Sequence, residues 1–384
     1  MIVQDLIDAM EQISPLKLAE DWDKVGLQLG NPHRQVVGST LLTIDLTERV
    51  LQEAIDLKSG AIIAYHPPIW TPLDALTNAT HTQRIILGAA EAGIAIFTPH
   101  TALDAAAGGV TDWLCEGISA PAGEATQGVV KGDCRALSPA TGGDIHREVK
   151  VITFVPSDKA DHLRNALGTA GAGGMGNYQL CSFNTPGEGT FLPQSGAQPA
   201  IGKVGSLERV PEIRIEMVCA RRSLALVIET LKEFHPYETP AYDIVELVPE
   251  PIRKLGAGRR LVLDQPVVMD ELVNRLKSHL DKSRIRYINS TPDDHLFSTI
   301  AVVPGSGGSF ASLARQEGCD LLITGEMTHH ELLAANHSGL SVLLAGHTNT
   351  ERGYLPRLQS RLKELLPRME FKLSKTDQDR IRVG

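Results

Sequence analysis

The sequence predicts an α/β fold in which one sheet-and-helix domain is interrupted by a ferredoxin-like α+β insert. Three observations carry this. Short apolar runs, such as AIIA at 61–64, IAIFT at 94–98 and SVLL at 341–344, stop abruptly at polar residues, as parallel strands buried on both faces do. These runs alternate with stretches whose apolar positions recur at three and four residues, the period of a helix packed on one face. The alternation loosens after about 116 and resumes after 251, and the stretch between has strands and helices of its own.

Taken in order, residues 2–13 read as an amphipathic helix, and EDWDKVGLQLG as a loop with a short strand. STLLTID (39–45) is a strand and LTERVLQEAIDLK a helix. AIIAYH is the next strand, THTQRIILGAAEAG the next helix and IAIFTPH the next strand. A further helix is expected from about Val110. From 116 to 148, ISAPAGEATQGVV and ALSPATGGD are rich in Ala, Gly and Pro. A new unit then begins with strand KVITFVP, helix SDKADHLRNALGTAG and strand GNYQLCSF. EIRIEMVCA, RSLALVIETLKEFH and PAYDIVELVP add strand, helix and strand, the order of a ferredoxin-like sandwich. Pro249 and Pro251 mark a linker, after which GRRLVLDQPVVMDELVNRLKSHL, STIAVVP, CDLLITG and LSVLLAG restore the βα alternation. The expected layout is therefore 1–128 and 251–384 as two halves of one domain, with 129–250 inserted.

Composition narrows the function classes. Net charge is −9, without a basic run, which argues against nucleic-acid binding driven by phosphate neutralisation. The N-terminus lacks the basic and apolar regions of a signal peptide, and no apolar stretch reaches the ~20 residues of a membrane helix. A cytoplasmic, non-membrane protein is expected. The five cysteines are scattered without a CxxC pair, which fits reduced thiols rather than a disulfide frame.

The chemistry-bearing residues collect at strand ends. AIIAYHPPIW delivers His66, GIAIFTPHTALDAAAGGV delivers His100 and Asp104, and LSVLLAGHTNTERGYL delivers His347 and Glu351. Ligands in open α/β sheets bind beyond the carboxyl ends of strands, and imidazole with carboxylate there suits Zn, Mn, Fe or Ni. Pro67 and Pro68 stiffen the turn after His66. Asp104 lies too far ahead of the helix at Val110 to cap it and reads as a ligand, with His100 as an alternative or supporting ligand. His347 and Glu351, four apart, fit one helical turn, though Glu351 also suits the first turn of a helix as a plain carboxylate. Each of these residues taken singly also fits an ordinary loop role. A site drawn from both flanks is expected at the edge of one sheet.

Other clusters are ambiguous. In GEMTHHELLAA, Glu326, His329 and His330 fit one helical face, and His329 or His330 suits acid–base work; a solvated helix face fits equally. GAGGMG (171–176) matches GxGxxG but follows a helix, the reverse of the dinucleotide context. VVPGSGGSFASLA (302–314) runs strand, turn, helix without GK[ST]. It reads foremost as a tight turn, with an anion cradle as the alternative. HPYETPAYD (235–243) reads as a rigid loop in the insert.

Together DWDKVGLQLG, AYHPPIW, HTALDAAAGGVTDWL, PGSGGSF and TGEMTHHELLAANHSGLSVLLAGHTNTERGYL resemble the Nif-three-like proteins, named GTP cyclohydrolase 1 type 2 homologues or dinuclear metal-centre proteins. GNYQLCSFNTPGEGTFLPQSGAQPAIG and HPYETPAYD are similar to the CutA- and PII-like insert of some members. The resemblance implies a two-metal centre with ligands His66, Asp104, His347 and Glu351, and assembly as a homohexameric ring of dimers. It implies one or two divalent ions per chain and metal-assisted hydrolysis of a nucleotide or related small molecule, with attack at C8 of GTP and His329 or His330 moving protons. A metal-binding regulatory protein is the alternative class. Tyr65 stands where many bacterial members have a histidine.

Overall fold

The computed structural model of the chain describes residues 1–124, 126, 128–142 and 147–379. It divides into two compact units, one from 1–140 with 252–384 and one from 141–251.

The first unit begins with α1 (Val3–Ile13), β1 (Gly26–Leu29), β2 (Ser39–Thr43), α2 (Glu48–Asp56) and β3 (Ala61–Ala64). It continues through α3 (His81–Ala92), β4 (Ala95–Thr98), α4 (His100–Ala105), α5 (Val110–Ser119) and β5 (Asp133–Gly142). The second unit holds β6 (Val149–Pro156), α6 (Ala160–Thr169), β7 (Phe183–Phe191), β8 (Glu208–Cys219), α7 (Leu224–Phe234) and β9 (Tyr242–Glu246). The chain then returns as β10 (Glu250–Val267), α8 (Met269–Leu280), β11 (Arg286–Ile288), β12 (Phe297–Ser306) and α9 (Ala311–Gln316). It finishes with β13 (Leu321–Glu326), α10 (His329–His337), β14 (Ser341–Leu344), α11 (Asn349–Arg352), α12 (Leu355–Leu365) and β15 (Glu370–Leu373).

The first unit contains two sheets, not one. The five-stranded sheet has the order β1-β4-β3-β2-β15, parallel apart from β1. The six-stranded sheet has the order β11-β14-β13-β12-β10-β5, with β14, β13 and β12 parallel and β11 and β10 antiparallel to their neighbours. The expectation that all ligand runs end at the edge of one sheet is thereby corrected: β3 and β14, which lead to His66 and His347, lie in different sheets. Both are four-residue strands buried throughout, and a uniformly apolar run carries no mark of which partner it pairs with.

Alternate side chains of each central strand go to opposite faces. Leu42, Ile63 and Phe97 of one sheet share a core with Ile300, Leu321 and Leu343 of the other, together with residues of α1, α5, α8 and α12. Leu41, Ile62 and Ile96 pack instead on α2 and α3, and Ala301, Leu322 and Val342 face α9 and α10. Burial on both faces is why these strands are apolar without alternation, and each fully buried Ile or Leu contributes ~1.5–3 kcal/mol.

The two flanks of the chain are also tied by charge. Arg259 is 1% exposed. Its Nε donates to Asp112 Oδ1 at 2.5 Å, and its terminal nitrogens donate to the carbonyls of Ala105, Ala106, Gly256 and Gly258. Arg357 donates two bonds to the buried Glu116 carboxylate, at 2.5 and 2.7 Å.

The second unit is a β-α-β-β-α-β sandwich with sheet order β7-β8-β6-β9, every neighbour antiparallel. Val151, Leu163, Met217, Val227 and Leu231 lie in its core. Its second strand starts at Phe183, so GNYQLCSF is mostly turn; β7 is largely exposed and shows no apolar alternation in the sequence. The insert boundary expected at 129 falls before β5, which belongs to the six-stranded sheet. A Cβ on Gly132 would meet Val262 O, and one on Gly256 would meet Ser138 O. The strands β5 and β10 therefore run antiparallel, and the chain leaves and re-enters the first unit at one place. β5 is an edge strand with Pro139 in it, and nothing in its composition announces pairing. Among the described residues, no helix is long and apolar enough to cross a membrane.

Candidate metal centre

The same local device occurs twice. β2 and β3 are parallel neighbours with Thr43 opposite Ala64, so Asp45 and His66 leave the sheet side by side, and Asp45 Oδ1 lies 2.9 Å from His66 Nδ1. β13 and β14 are parallel neighbours with Thr324 opposite Leu344, and Glu326 Oε1 lies 2.9 Å from His347 Nδ1. A carboxylate at the end of one strand thus orients a histidine at the end of the next, turning each Nε2 toward Glu351.

Glu351, in α11, stands between the two imidazoles and is 2% exposed. Its Oε2 is 3.4 Å from His66 Nε2 and its Oε1 is 3.4 Å from His347 Nε2. One ligand atom from each of the three residues lies within 4.8 Å of the others. His66 Nε2 and Glu351 Oε2 are buried and make no hydrogen bond. They face each other at 3.4 Å, and a buried polar pair held by so loose a contact is costly. Two donors each 2.0–2.1 Å from a tetrahedral ion would stand about 3.3 Å apart, so the spacing and the donor types fit a divalent cation. Burial pulls the His66 pKa down, but the Asp45 and Glu351 carboxylates outweigh it and hold it at about 10. Without an ion, a proton occupies this cluster.

Gly305 makes room for the group. Its φ is +61°, and a Cβ there would lie 2.8 Å from Glu351 Oε1 and 3.1 Å from His347 Nε2. Its N–H donates to Thr350 Oγ1, and its carbonyl accepts from Thr324 Oγ1. The PGSGGSF turn therefore buttresses the ligands, and the Gly305 N–H is not available to cradle an anion.

Asp104 stands apart from this triad. Its Oδ1 accepts a 2.5 Å hydrogen bond from the buried Tyr65 hydroxyl. Burial raises the pKa of both Tyr65 and Asp104 well above the usual values. His100 is held through Nδ1 by Asp23 at 2.7 Å, and the Thr101 hydroxyl donates to the same carboxylate. The His100 φ of +32° is unusual for a non-glycine residue. Its ring lies 5.3 Å from that of His66 and 5.6 Å from that of Tyr65, centroid to centroid.

The structure brings together His66, His347 and Glu351, with Asp104 and His100 on the Tyr65 side. His329 and His330 are exposed at the start of α10, outside both the triad and the lining of the cavity beside it. They share no helical face with Glu326, because that residue ends β13 and α10 begins only at His329. Thr328 and Glu331 form a capping box there. Sequence reasoning passed over Asp45 and Asp23 and placed Glu326 on a helix. The signal was present in LLTID and LLITGE, where a carboxylate ends a buried strand.

The Duf34/NIF3 (NGG1p interacting factor 3) family model matches residues 1–380. The chain is 34% identical over 363 residues to a Halalkalibacterium halodurans protein named GTP cyclohydrolase 1 type 2 homolog, covering 94% of this chain and 92% of that one. A Bacillus subtilis protein of the same name is 34% identical over 344 residues, covering 90% and 87%. The crystal structure of a Bacillus cereus protein related to NIF3 matches with a TM-score of 0.64 and 32% identity, over 100% of this chain and 99% of that one. A Staphylococcus aureus protein structure shares the fold, with a TM-score of 0.71 at 23% identity, over 100% of this chain and 99% of that one.

Proposed function

The chain belongs to the Duf34/NIF3 family, and from that premise we propose that it is a metal-dependent hydrolase acting on a nucleotide or related small molecule. The observation that carries this reading is the pair of buried ligand atoms, His66 Nε2 and Glu351 Oε2, which face each other at 3.4 Å and make no hydrogen bond. His66, His347 and Glu351 would hold a divalent ion, and Asp104 is the candidate ligand for a second. A bound divalent ion supplies Lewis-acid chemistry and water activation near neutral pH. The chain's own residues do the positioning: Asp45 and Glu326 fix the imidazoles, and Glu351 offers one oxygen to each side. The Tyr65 hydroxyl donates a hydrogen bond to the Asp104 carboxylate and so occupies one of its oxygens. His329 and His330 remain the proposed proton carriers, and their exposure makes them a part of the reading that is easily tested. Assembly as a hexameric ring of dimers is proposed with it.

The test is metal analysis of the purified protein, followed by a hydrolase screen that includes GTP. Stoichiometric metal with turnover lost in His347→Ala supports the reading, and a metal-free protein with no turnover after reconstitution refutes it. Substituting His329 and His330 by Ala should lower turnover and leave metal content unchanged. Light scattering reports the assembly.

One observation favours a regulatory role. The second unit contains a cavity of about 470 Å³ lined by Phe154, Phe191, Glu212 and Tyr237, where the Tyr237 hydroxyl donates to Glu212 at 2.6 Å. A metal-loaded protein with no turnover, but with a ligand bound at this cavity, would select that reading.

A further inference from the structure

The cavity beside the metal centre has a volume of about 1370 Å³, larger than most small-molecule sites. Its lining takes in the site itself, with Asp45, His66, Glu326 and His347, and also Lys277, Lys282 and Arg286. The topology explains the meeting. β11 pairs antiparallel with β14, Arg286 opposite Leu344, so the chain entering β11 runs past the end of β14 where His347 leaves the sheet. Lys277 comes from the last turn of α8, and Lys282 from the link to β11.

The charges of this lining are not all matched within the protein. Asp45 faces His66, Glu326 faces His347, Asp377, also in the lining, pairs with Arg352 at 2.5 Å, and the lining residues Arg284 and Asp379 have partners as well. Among the described residues, the side chains of Lys277, Lys282 and Arg286 make no ion pair or hydrogen bond. Three cations without a direct partner stand out in a chain of net charge −9, and a concave surface strengthens their field.

We infer that Lys277, Lys282 and Arg286 form a phosphate-recognition wall, so that the ligand of this cavity is a phosphorylated molecule with its phosphates at 277–286 and its other end at the metal centre. The second half of this statement rests on the metal-hydrolase reading; the anion wall itself does not. Lysine and arginine suit the role because ammonium and guanidinium both give charge-assisted bonds to phosphate oxygens, and arginine does so in a two-pronged geometry. The cavity also accommodates a nucleotide. The reading places the anion subsite in KSRIR, a short alternation that the sequence offered without any motif to mark it.

The experiment measures binding of inorganic pyrophosphate and of GTP by calorimetry, using the full chain, metal-loaded and chelator-dialysed. The proteins are wild type, the double variant Lys282→Ala/Arg286→Ala, and Arg286→Lys. Wild type should bind both probes saturably. The double variant should bind each about 10- to 100-fold more weakly, the usual effect of losing charge-assisted bonds, with bound metal unchanged. Arg286→Lys should retain most of the affinity. GTP binding tighter than pyrophosphate points to a nucleotide, and equal affinities point to phosphate alone; both support the wall. Equal affinities in wild type and double variant, or no saturable binding of either probe to wild type, overturn it. Failure of the metal reading would appear separately, as wild type without metal. The variant effect on dialysed protein would still decide the anion wall.

Discussion

At the residue scale, the Glu351 carboxylate is placed between His66 and His347, with no other partner among the described residues. It is nearly fully buried, each oxygen faces a different imidazole, and Oε2 makes no hydrogen bond. Glu351→Ala should therefore remove most bound metal while leaving the fold intact, as read by metal content and circular dichroism. Tyr65 acts through Asp104, because its hydroxyl engages the carboxylate that would serve a second ion. Wild type is expected to hold one ion per chain, and Tyr65→His to raise that toward two by freeing Asp104 and adding an imidazole. Metal-to-protein ratios after dialysis check this, and two ions in wild type would refute it. His66 sets a pH dependence. Its pKa of about 10 in the folded, metal-free protein lies above the ordinary value of about 6.5. The protonated imidazole thus stabilises the metal-free protein fully below about pH 6.5, and that contribution is lost as pH rises toward 10. An ion must displace this proton, so apparent metal affinity should rise about tenfold per pH unit over that window. Chelator competition between about pH 6.5 and 8.5 measures it; a flat profile would show that no proton is released.

At the element scale, the centre depends on how strands end and on the turn beneath them. Gly305 belongs to the last residues of β12, and both its φ and its contacts exclude a side chain. Gly305→Ala should push Glu351 and His347 apart and weaken metal binding by about 10- to 100-fold, the range seen when supporting groups around a metal are lost. Titration against a chelator tests this, and unchanged affinity would mean that the turn yields without moving the ligands. The helix pair α5 and α8 illustrates a different constraint. Burial depresses the His279 pKa to about 4, and its ring packs on Trp113 at 4.4 Å between centroids. Because the folded value lies below the ordinary one, the neutral ring costs nothing above about pH 6.5, and stability falls as pH drops from there toward 4. His279→Phe should flatten that part of the acid-unfolding curve, which denaturant melts at several pH values would show. Legibility at this scale followed burial. Strands buried on both faces, such as 61–64 and 341–344, announce themselves as apolar runs. The edge strand β5, which buries Ala136 and Leu137, and the exposed β7 do not, because their environment does not require a continuous apolar run.

At the scale of the whole chain, the second unit is an excursion between two paired strands. Since β5 and β10 run side by side in the six-stranded sheet, replacing 143–249 with a short turn should leave a folded unit that still binds metal. A cut beginning near 130 would remove β5 and expose the edge of that sheet. Metal content and thermal melts of the two deletions should therefore differ, with the longer deletion melting lower; equal melting would show β5 to be dispensable. The sequence by itself determined the alternation of buried strands and helices, the interruption of one domain by another, and the residue types at the strand ends. These depend on local periodicity and on burial, which composition records directly. Only the tertiary structure decided that His66 and His347 come from different sheets and that Asp45 and Glu326 orient them. It also decided that Tyr65 engages Asp104 and that Lys282 and Arg286 line the same cavity as His66 and His347. Those facts depend on which strands become neighbours, and a short, uniformly apolar strand does not encode its partner in its own residues.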